Sequence, residues 1–598
     1  APTVRLTSTH PYYPGNGKVP AVPGLNLAGR PIDVLWSVAD AGPRIRDDNH
    51  KNDRVVLAAE GRLGSWDYRA GLNHGWSERN TKAGPGWLRV TGIATVQGTT
   101  SRTLFLDPKL NPFGLQTAEG LALIDAARMQ GQTLRLHKAT NTGIDATLSG
   151  ELMQLPGGPL TLAVGGELRR DGWQAVGLAS NDLSTALNGQ IDLLGGDNLA
   201  QGASSATSTR ISRDIISLFT EVDAPLRKDL TLNASVRADK YDDLGETTVN
   251  PKLSVRWQPV RSLLLRASAN TGYRAPSLPE IYTKETERTL IPVFNDPLLC
   301  PGGVAKPGYA TELVCSLTGY NQITKVPNNA GVKPETSKSF TLGLAFEPMR
   351  NVTATVDYWQ TQIDDVIGNR AIDYLLANPN VYPELFRRNA DGTLGVPNAA
   401  GSRDAVVNTP SNVGSIRAAG FDVSLKFATP KAAWGVVSGG IDVAYLTQWQ
   451  AKSEGVNNGN WVSALGYYND VVPVNPNAGL SNATRGLNNR WRHTASIAYS
   501  NAGWMAQLSQ RYQSKIRDQN LAATTGAGTS GPRDVAAYEQ YNLTVKYIGI
   551  RNLALTLGVS NLLDRDPPLT NHNGYRGYLT SVADVLGRAY TLTAEYKF

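Results

Sequence analysis

Cysteine and methionine are scarce in this chain, at two and four among 598 residues. Charged residues make up only 18%. No run of eighteen or more apolar residues occurs, which excludes a transmembrane helix. It does not exclude a membrane, because barrel strands are short, alternate in polarity, and average to a polar-looking chain. The six histidines (His10, His50, His74, His137, His493, His572) are scattered without metal-ligand spacing. There is no Gly-x-Ser-x-Gly elbow and no glycine-rich phosphate loop, so no catalytic constellation stands out and an enzyme is not expected. The opening "APTVRLTSTHPYYPGNGKVP" has neither an initiator Met nor a signal-peptide core. Either a signal is removed or the chain starts partway through a longer protein. The net charge of +7 is mild for this length and carries little weight.

The two cysteines, Cys300 and Cys315, lie close together in a Gly- and Pro-flanked stretch. Such a pair suggests a disulfide in an oxidising compartment, with two free thiols as the alternative. Closing that loop would contribute about 3 kcal/mol on the chain-entropy estimate. No His falls near the pair, which argues against zinc.

What the chain has in abundance is period-two alternation, from about residue 54 to the end. In "SLLLRASAN", Leu263, Leu265, Ala267 and Ala269 share one face, while Leu264, Arg266, Ser268 and Asn270 share the other. In "SFTLGLAFEP", Phe340, Leu342, Leu344 and Phe346 oppose Ser339, Thr341, Gly343 and Ala345. About seventeen strands emerge, most of them longer than is usual in soluble sheets and long enough to cross a bilayer when tilted. Helical patterns occur in "TAEGLALIDAARMQGQTLRLHK" and "AIDYLLANPNVYPELFRRN", both in connections. The connections are of two kinds. Tight turns rich in Pro, Gly and Arg or Lys alternate with long stretches near 275–335, 368–411, 450–486, 516–536 and 564–587. In an antiparallel meander, alternate connections fall at opposite ends, so one end is neat and the other carries long loops. The second face carries Arg256, Arg266, Asn270, Lys338 and Asp357, too polar for the inside of a sandwich. In hydrocarbon a sheet crosses only as a barrel, with its apolar face to lipid and its polar face to the lumen. Trp257, Tyr358 and Trp359 fit interfacial aromatic girdles. The expected fold is all-β: an antiparallel transmembrane barrel over 54–598, with 1–53 an irregular outer segment.

The chain ends in "YTLTAEYKF", where Tyr590, Leu592, Tyr596 and terminal Phe598 share a face. A last strand ending in an aromatic resembles the signal that outer-membrane barrels present to their assembly machinery. Further motifs extend the likeness. "TGYRAPSLPEIY" resembles the segment of TonB-dependent receptors where a mid-barrel strand leaves the membrane into a long outer loop. "VKPETSKSFTLGLAFEP" resembles the returning strand, "VDYWQTQIDDVIG" the next, and "SNLLDRDPP" a motif near the last hairpin. The matches run in the family's order through roughly the final 350 residues. The resemblance implies an outer-membrane barrel of about 22 strands around a globular plug. It also implies uptake of a scarce ligand, such as a siderophore, vitamin B12 or an oligosaccharide, driven by the TonB–ExbB–ExbD complex. The expected partners are that complex, outer-membrane lipids, the assembly machinery and a small-molecule ligand, with no nucleic acid and no cofactor. The plug and its TonB-contacting box are not found in this sequence, so the expectation is the C-terminal portion of such a receptor. A passive porin is the alternative.

For ligand contact the candidates are Arg274 and Tyr282 beside the loop exit, and Trp461, Tyr467 and Tyr468 in "SEGVNNGNWVSALGYYNDVVPVNPNAG". Aromatics there could stack on a ligand at the barrel mouth, and Arg274 could meet an acidic one. An internal salt bridge is the other reading of Arg274, and a solvated loop is the other reading of the aromatics.

Overall fold

A computed structural model describes every residue except 1–2, 25–26, 28, 37, 44, 89–92, 97–98, 103–106, 177–208, 283–287, 292, 319, 324–330, 371, 398–402, 454–459, 470–485, 519–532, 571–584 and 598. Seventeen long strands of the described residues build one barrel-shaped sheet. They are β1 Arg46–Leu63, β2 Trp66–Ala83, β3 Thr133–Leu155, β4 Gly158–Val176, β5 Thr209–Arg227 and β6 Leu230–Tyr241. Next come β7 Thr247–Val260, β8 Leu263–Arg274, β9 Glu335–Met349, β10 Val352–Gly368, β11 Ser411–Ala428 and β12 Val436–Ser453. The last five are β13 Trp491–Asn501, β14 Trp504–Gln513, β15 Tyr538–Ile550, β16 Leu553–Ser560 and β17 Ala589–Tyr596. The first strand therefore begins at Arg46, inside the segment expected to be irregular.

Every strand pairs antiparallel with its sequence neighbour, so the wall is a plain meander. Among the described residues no ladder joins β17 to β1, and both strands are exposed along their whole length. Connections at one end are short: 64–65, 156–157, 228–229, 261–262, 350–351, 429–435, 502–503 and 551–552. At Ala502 and Gly503 both central residues take positive φ (47° and 84°), the twist that a two-residue hairpin requires. The opposite end carries 84–132, 177–208, 242–246, 275–334, 369–410, 454–490, 514–537 and 561–588, of which only 242–246 is short.

Registry sorts the faces. Leu342, Tyr358, Phe421, Tyr445 and Trp491 stand opposite one another on β9 to β13, on the outward side. Tyr358 packs on Phe421 with ring centroids 5.2 Å apart, and Tyr445 on Trp491 at 5.9 Å. These rings make an aromatic belt toward the long-loop end. Near the short turns Trp257, Trp504 and Tyr547 are further outward aromatics, Trp504 and Tyr547 lying 4.4 Å apart. Two sequence assignments change here. Trp359 lies one residue from Tyr358 and so faces the lumen with Asp357, not the lipid. Lys338 lies two residues from Phe340 and shares its outward face, opposite Gln362. Both follow from strict period-two geometry.

Where they are described, several of the long connections are folded. Residues 3–43 and 84–132 share a core of Leu6, Tyr13, Trp36, Val38, Leu88, Leu110 and Ile124. The helix Ala118–Ala126 is capped by Thr117, whose hydroxyl accepts from the Gly120 amide. Connections 275–334 and 369–410 share a second core of Ile291, Leu317, Tyr320, Leu375, Phe386, Leu394 and Val406. Their short strands Arg288–Leu290, Tyr320–Ile323, Arg403–Val407 and Val396–Pro397 form one small sheet. A similar sheet joins 454–490 to 514–537 through Tyr467–Asn469 and Ile516–Asp518. The Thr570 hydroxyl is hydrogen-bonded to the buried Asp518 carboxylate, tying connection 561–588 to it.

Candidate functional site

The candidate functional surface is the lumen and the folded loops above it. On the luminal face Arg266, Gly343, Asp357, Asp422, Ala444 and Arg492 stand in one row across β8 to β13. The next row holds Thr355, Ser424, Asp442, Thr494 and Arg511 on β10 to β14. Asp422, Ala444 and Arg492 of the first row and all five residues of the second line a cleft of about 410 Å³. Its carboxylates (Asp422, Asp442) sit on β11 and β12, and its guanidiniums (Arg492, Arg511) on β13 and β14. Ser424 donates to Asp442 Oδ1 at 2.6 Å, and Arg492 donates to Asn489 Oδ1 at 3.2 Å. A cleft so divided suits a group carrying both signs of charge.

Beside the cleft, Arg266 grips Asp357 with two bonds of 2.8 and 2.6 Å. The two residues lie on β8 and β10 and meet across β9. Gly343 makes this possible, since a Cβ there would fall 2.0 Å from Asp357 Oδ1 and 2.7 Å from Arg266 Nε. Farther round the wall, Arg237 bridges Glu167 (3.1 Å) and Asp239 (2.9 Å), and Ser217 donates to Asp239 at 2.5 Å. The lumen is thus a hydrogen-bonded polar wall.

Arg274, at the end of β8, is taken up by two carboxylates. Its Nε and Nη2 donate to Glu335 at 2.8 and 2.9 Å, and its Nη1 to Glu280 at 3.1 Å. Glu280 also accepts from the Ser277 amide at 2.6 Å. The guanidinium therefore ties the departing strand, the Pro-containing turn and the returning strand together. Tyr282 closes the short helix Leu278–Tyr282 and is half-buried. Burial pushes its phenol up, helped by the Asp243 carboxylate. Trp461 lies under the Arg417 guanidinium, 4.3 Å from ring centroid to Cζ. Tyr467 is half-buried, and its backbone pairs with Arg517; that of Tyr468 pairs with Asp518 and Leu487. Much of the stretch around these aromatics lies outside the described residues. The five candidates do not converge on one pocket: Arg274 and Tyr282 serve the first loop exit, Tyr467 and Tyr468 belong to another loop sheet, and Trp461 precedes a short strand, Val462–Ser463, laid on β12. Tyr590, Leu592 and Tyr596 share the exposed face of β17, and Phe598 lies outside the described residues.

The loop body over β8 to β11 is held by strong internal ties. Cys300 and Cys315 form a disulfide, with Cα atoms 5.5 Å apart, packed against Val314 and Tyr309. The Asp296 carboxylate is fully buried; it accepts from Arg388 Nη1 and Nη2 at 2.8 and 3.0 Å and from the Leu298 amide at 2.9 Å. Tyr309 donates to the Asp391 carbonyl at 3.2 Å, joining the disulfide loop to its neighbour. The Asp391 carboxyl is held below the usual range by the Thr393 hydroxyl and amide. Neither the divided cleft nor the Arg388–Asp296 pair was singled out in the sequence. Alternation marks the luminal positions, but nothing local says which of them meet. Among the described residues no cluster of His, Cys, Asp and Glu could hold a metal ion.

Comparison with known proteins follows this geometry. The family model for the TonB-dependent receptor-like β-barrel matches residues 3–562. The outer membrane transporter YddB from Escherichia coli is similar in structure, with a TM-score of 0.57 at 12% identity, covering 92% of this chain and 63% of that one. The siderophore receptor PirA from Acinetobacter baumannii gives 0.55 at 15%, with the same coverage. A mutant of the ferric enterobactin receptor PfeA from Pseudomonas aeruginosa gives 0.54 at 15%, covering 92% and 62%. At these identities the likeness speaks to the fold, and the chain spans less than two thirds of those chains' length. No curated protein sequence gives a significant match.

Proposed function

This chain belongs to the TonB-dependent receptor family of β-barrels in the outer membrane of Gram-negative bacteria, and from that premise we propose that it forms the wall of an energy-coupled importer. The observation that carries this reading is a hydrogen-bonded, charge-bearing lumen beneath long connections that fold into compact bodies. Loops built this way suit capture of a ligand better than free diffusion past them. The energy source in this reading is the TonB–ExbB–ExbD complex. An iron–siderophore complex is the ligand class to test first, because PirA and PfeA are siderophore receptors. Vitamin B12 and oligosaccharides follow. The reading also takes the lumen to hold a plug. Further wall strands of the native polypeptide would pair with β1 and β17, which no ladder joins among the described residues, since unpaired backbone in hydrocarbon costs several kcal/mol per group.

The test is uptake of radiolabelled ferric siderophores by cells making the native protein, with and without a functional TonB. Uptake that vanishes without TonB supports the importer. Uptake that persists, together with steady conductance in planar bilayers, would make the protein a passive channel. The intact mass of the polypeptide extracted from outer membranes tests the plug separately.

A further inference from the structure

We propose that the outer wall of β5 to β11 carries a binding site for a phosphate-bearing lipid of the outer leaflet. Two independent features meet there. The first is a row of polar side chains on the lipid-facing side, where alternation otherwise places apolar ones. Thr271, Lys338, Gln362, Arg417 and Gln450 stand opposite one another on β8 to β12. The row lies on the long-loop side of the aromatic belt made by Tyr358, Phe421, Tyr445 and Trp491. It therefore sits at headgroup height, where a cation meets lipid phosphate rather than hydrocarbon.

Both cations lack a carboxylate partner among the described residues. Lys338 is exposed. Arg417 donates from Nε to Gln450 Oε1 at 2.7 Å and lies over the Trp461 ring, which leaves its Nη atoms without a hydrogen bond among the described residues. The one carboxylate of the patch, Asp364, accepts from the Gln362 amide at 2.9 Å. Lys338 and Arg417 are two strands apart, about 10 Å by ordinary sheet spacing. That distance lets one phosphorylated headgroup reach both.

The second feature is a groove of about 710 Å³ on the same wall, spreading from Lys338 across β8 to β5. Its outward floor is Val222, Ala234, Val236, Pro251, Leu253 and Ala269. Small side chains, Ala234 and Ala269 above all, leave a furrow beside the bulkier Leu253 and Phe340. A lysine at the end of an apolar furrow matches an anionic headgroup with an acyl chain lying beside it. A free anion would need the lysine and not the furrow.

The experiment uses the native protein purified in detergent and titrated with lipopolysaccharide, with the thermal midpoint as readout. The Lys338→Gln/Arg417→Gln variant is expected to bind about thirtyfold more weakly, from roughly a tenfold or smaller loss per cation. Filling the furrow with Ala269→Leu should weaken lipopolysaccharide binding without changing charge. A control variant, Lys431→Gln/Arg551→Gln, removes exposed cations from the short-turn end and should bind as the parent does. Dephosphorylated lipopolysaccharide should bind the parent as weakly as the intact lipid binds the double variant. Equal binding by parent and double variant would overturn the proposal. So would full competition by inorganic phosphate, which would mean a simple anion site.

Discussion

Gly343→Ala tests whether the luminal ion pair is built over a missing side chain. The new methyl group would lie 2.0 Å from Asp357 Oδ1 and 2.7 Å from Arg266 Nε. Those are the ends of flexible side chains, so the pair should part while the strands stay in register. The Arg266 side chain is 53% exposed and that of Asp357 23%, so solvent screening limits the pair to about 1 kcal/mol despite its two bonds. Alanine in a strand interior is itself about 0.5–1 kcal/mol better than glycine. The two terms nearly cancel, and Gly343→Ala alone should change stability by less than about 0.5 kcal/mol. In an Asp357→Ala background the pair is already gone and only the backbone gain remains. There Gly343→Ala should stabilise by about 0.5–1 kcal/mol. The assay is a double-mutant cycle on urea midpoints for folding into phosphatidylcholine vesicles, read by heat-modifiable gel mobility. The same change in both backgrounds would refute the argument.

Other perturbations act on the loop bodies. Arg388→Leu leaves the buried Asp296 carboxylate without its guanidinium, at a cost of about 3 kcal/mol to that body; limited proteolysis should cut within 291–406 while the barrel strands stay protected. Reducing the Cys300–Cys315 disulfide should cost about 3 kcal/mol and open the same region, seen as new cleavage near 299–316. His10 is held neutral by burial, with its pKa below the ordinary 6.5, and its Nδ1 accepts from the Tyr12 amide. Burial of the neutral form stabilises the N-terminal body above about pH 6.5, and that contribution is lost as pH falls toward the depressed value. Fluorescence of Trp36, buried in the core of that body, should follow this change, and His10→Asn should abolish it.

Much of the wall was legible because a strand records its environment every second residue. The count of about seventeen strands, the alternation of short and long ends, and the outward run Phe340, Leu342, Leu344 and Phe346 all needed only local pattern. Where that same rule was applied loosely, the assignment changed: Lys338 shares Phe340's face, and Trp359 shares Asp357's. The site candidates fared differently. Arg274 was legible as a charged residue at a strand exit, but its partner Glu335 lies 61 residues on. Tyr467 and Tyr468 belong to a loop sheet completed by 516–518. Nothing in either segment names the other.

The sequence by itself determined that this protein is an alternating β-barrel wall with a neat end, a looped end and both cysteines in one loop. Those properties follow from side-chain period and turn chemistry, which act within about ten residues. Only the tertiary structure decided which luminal charges meet, that long connections pair into folded bodies, and that a lysine heads an apolar furrow on the outer wall. Each of these depends on register between strands separated by whole loops. Asp296 and Arg388 are 92 residues apart, and their pairing exists only once both connections have folded onto one core.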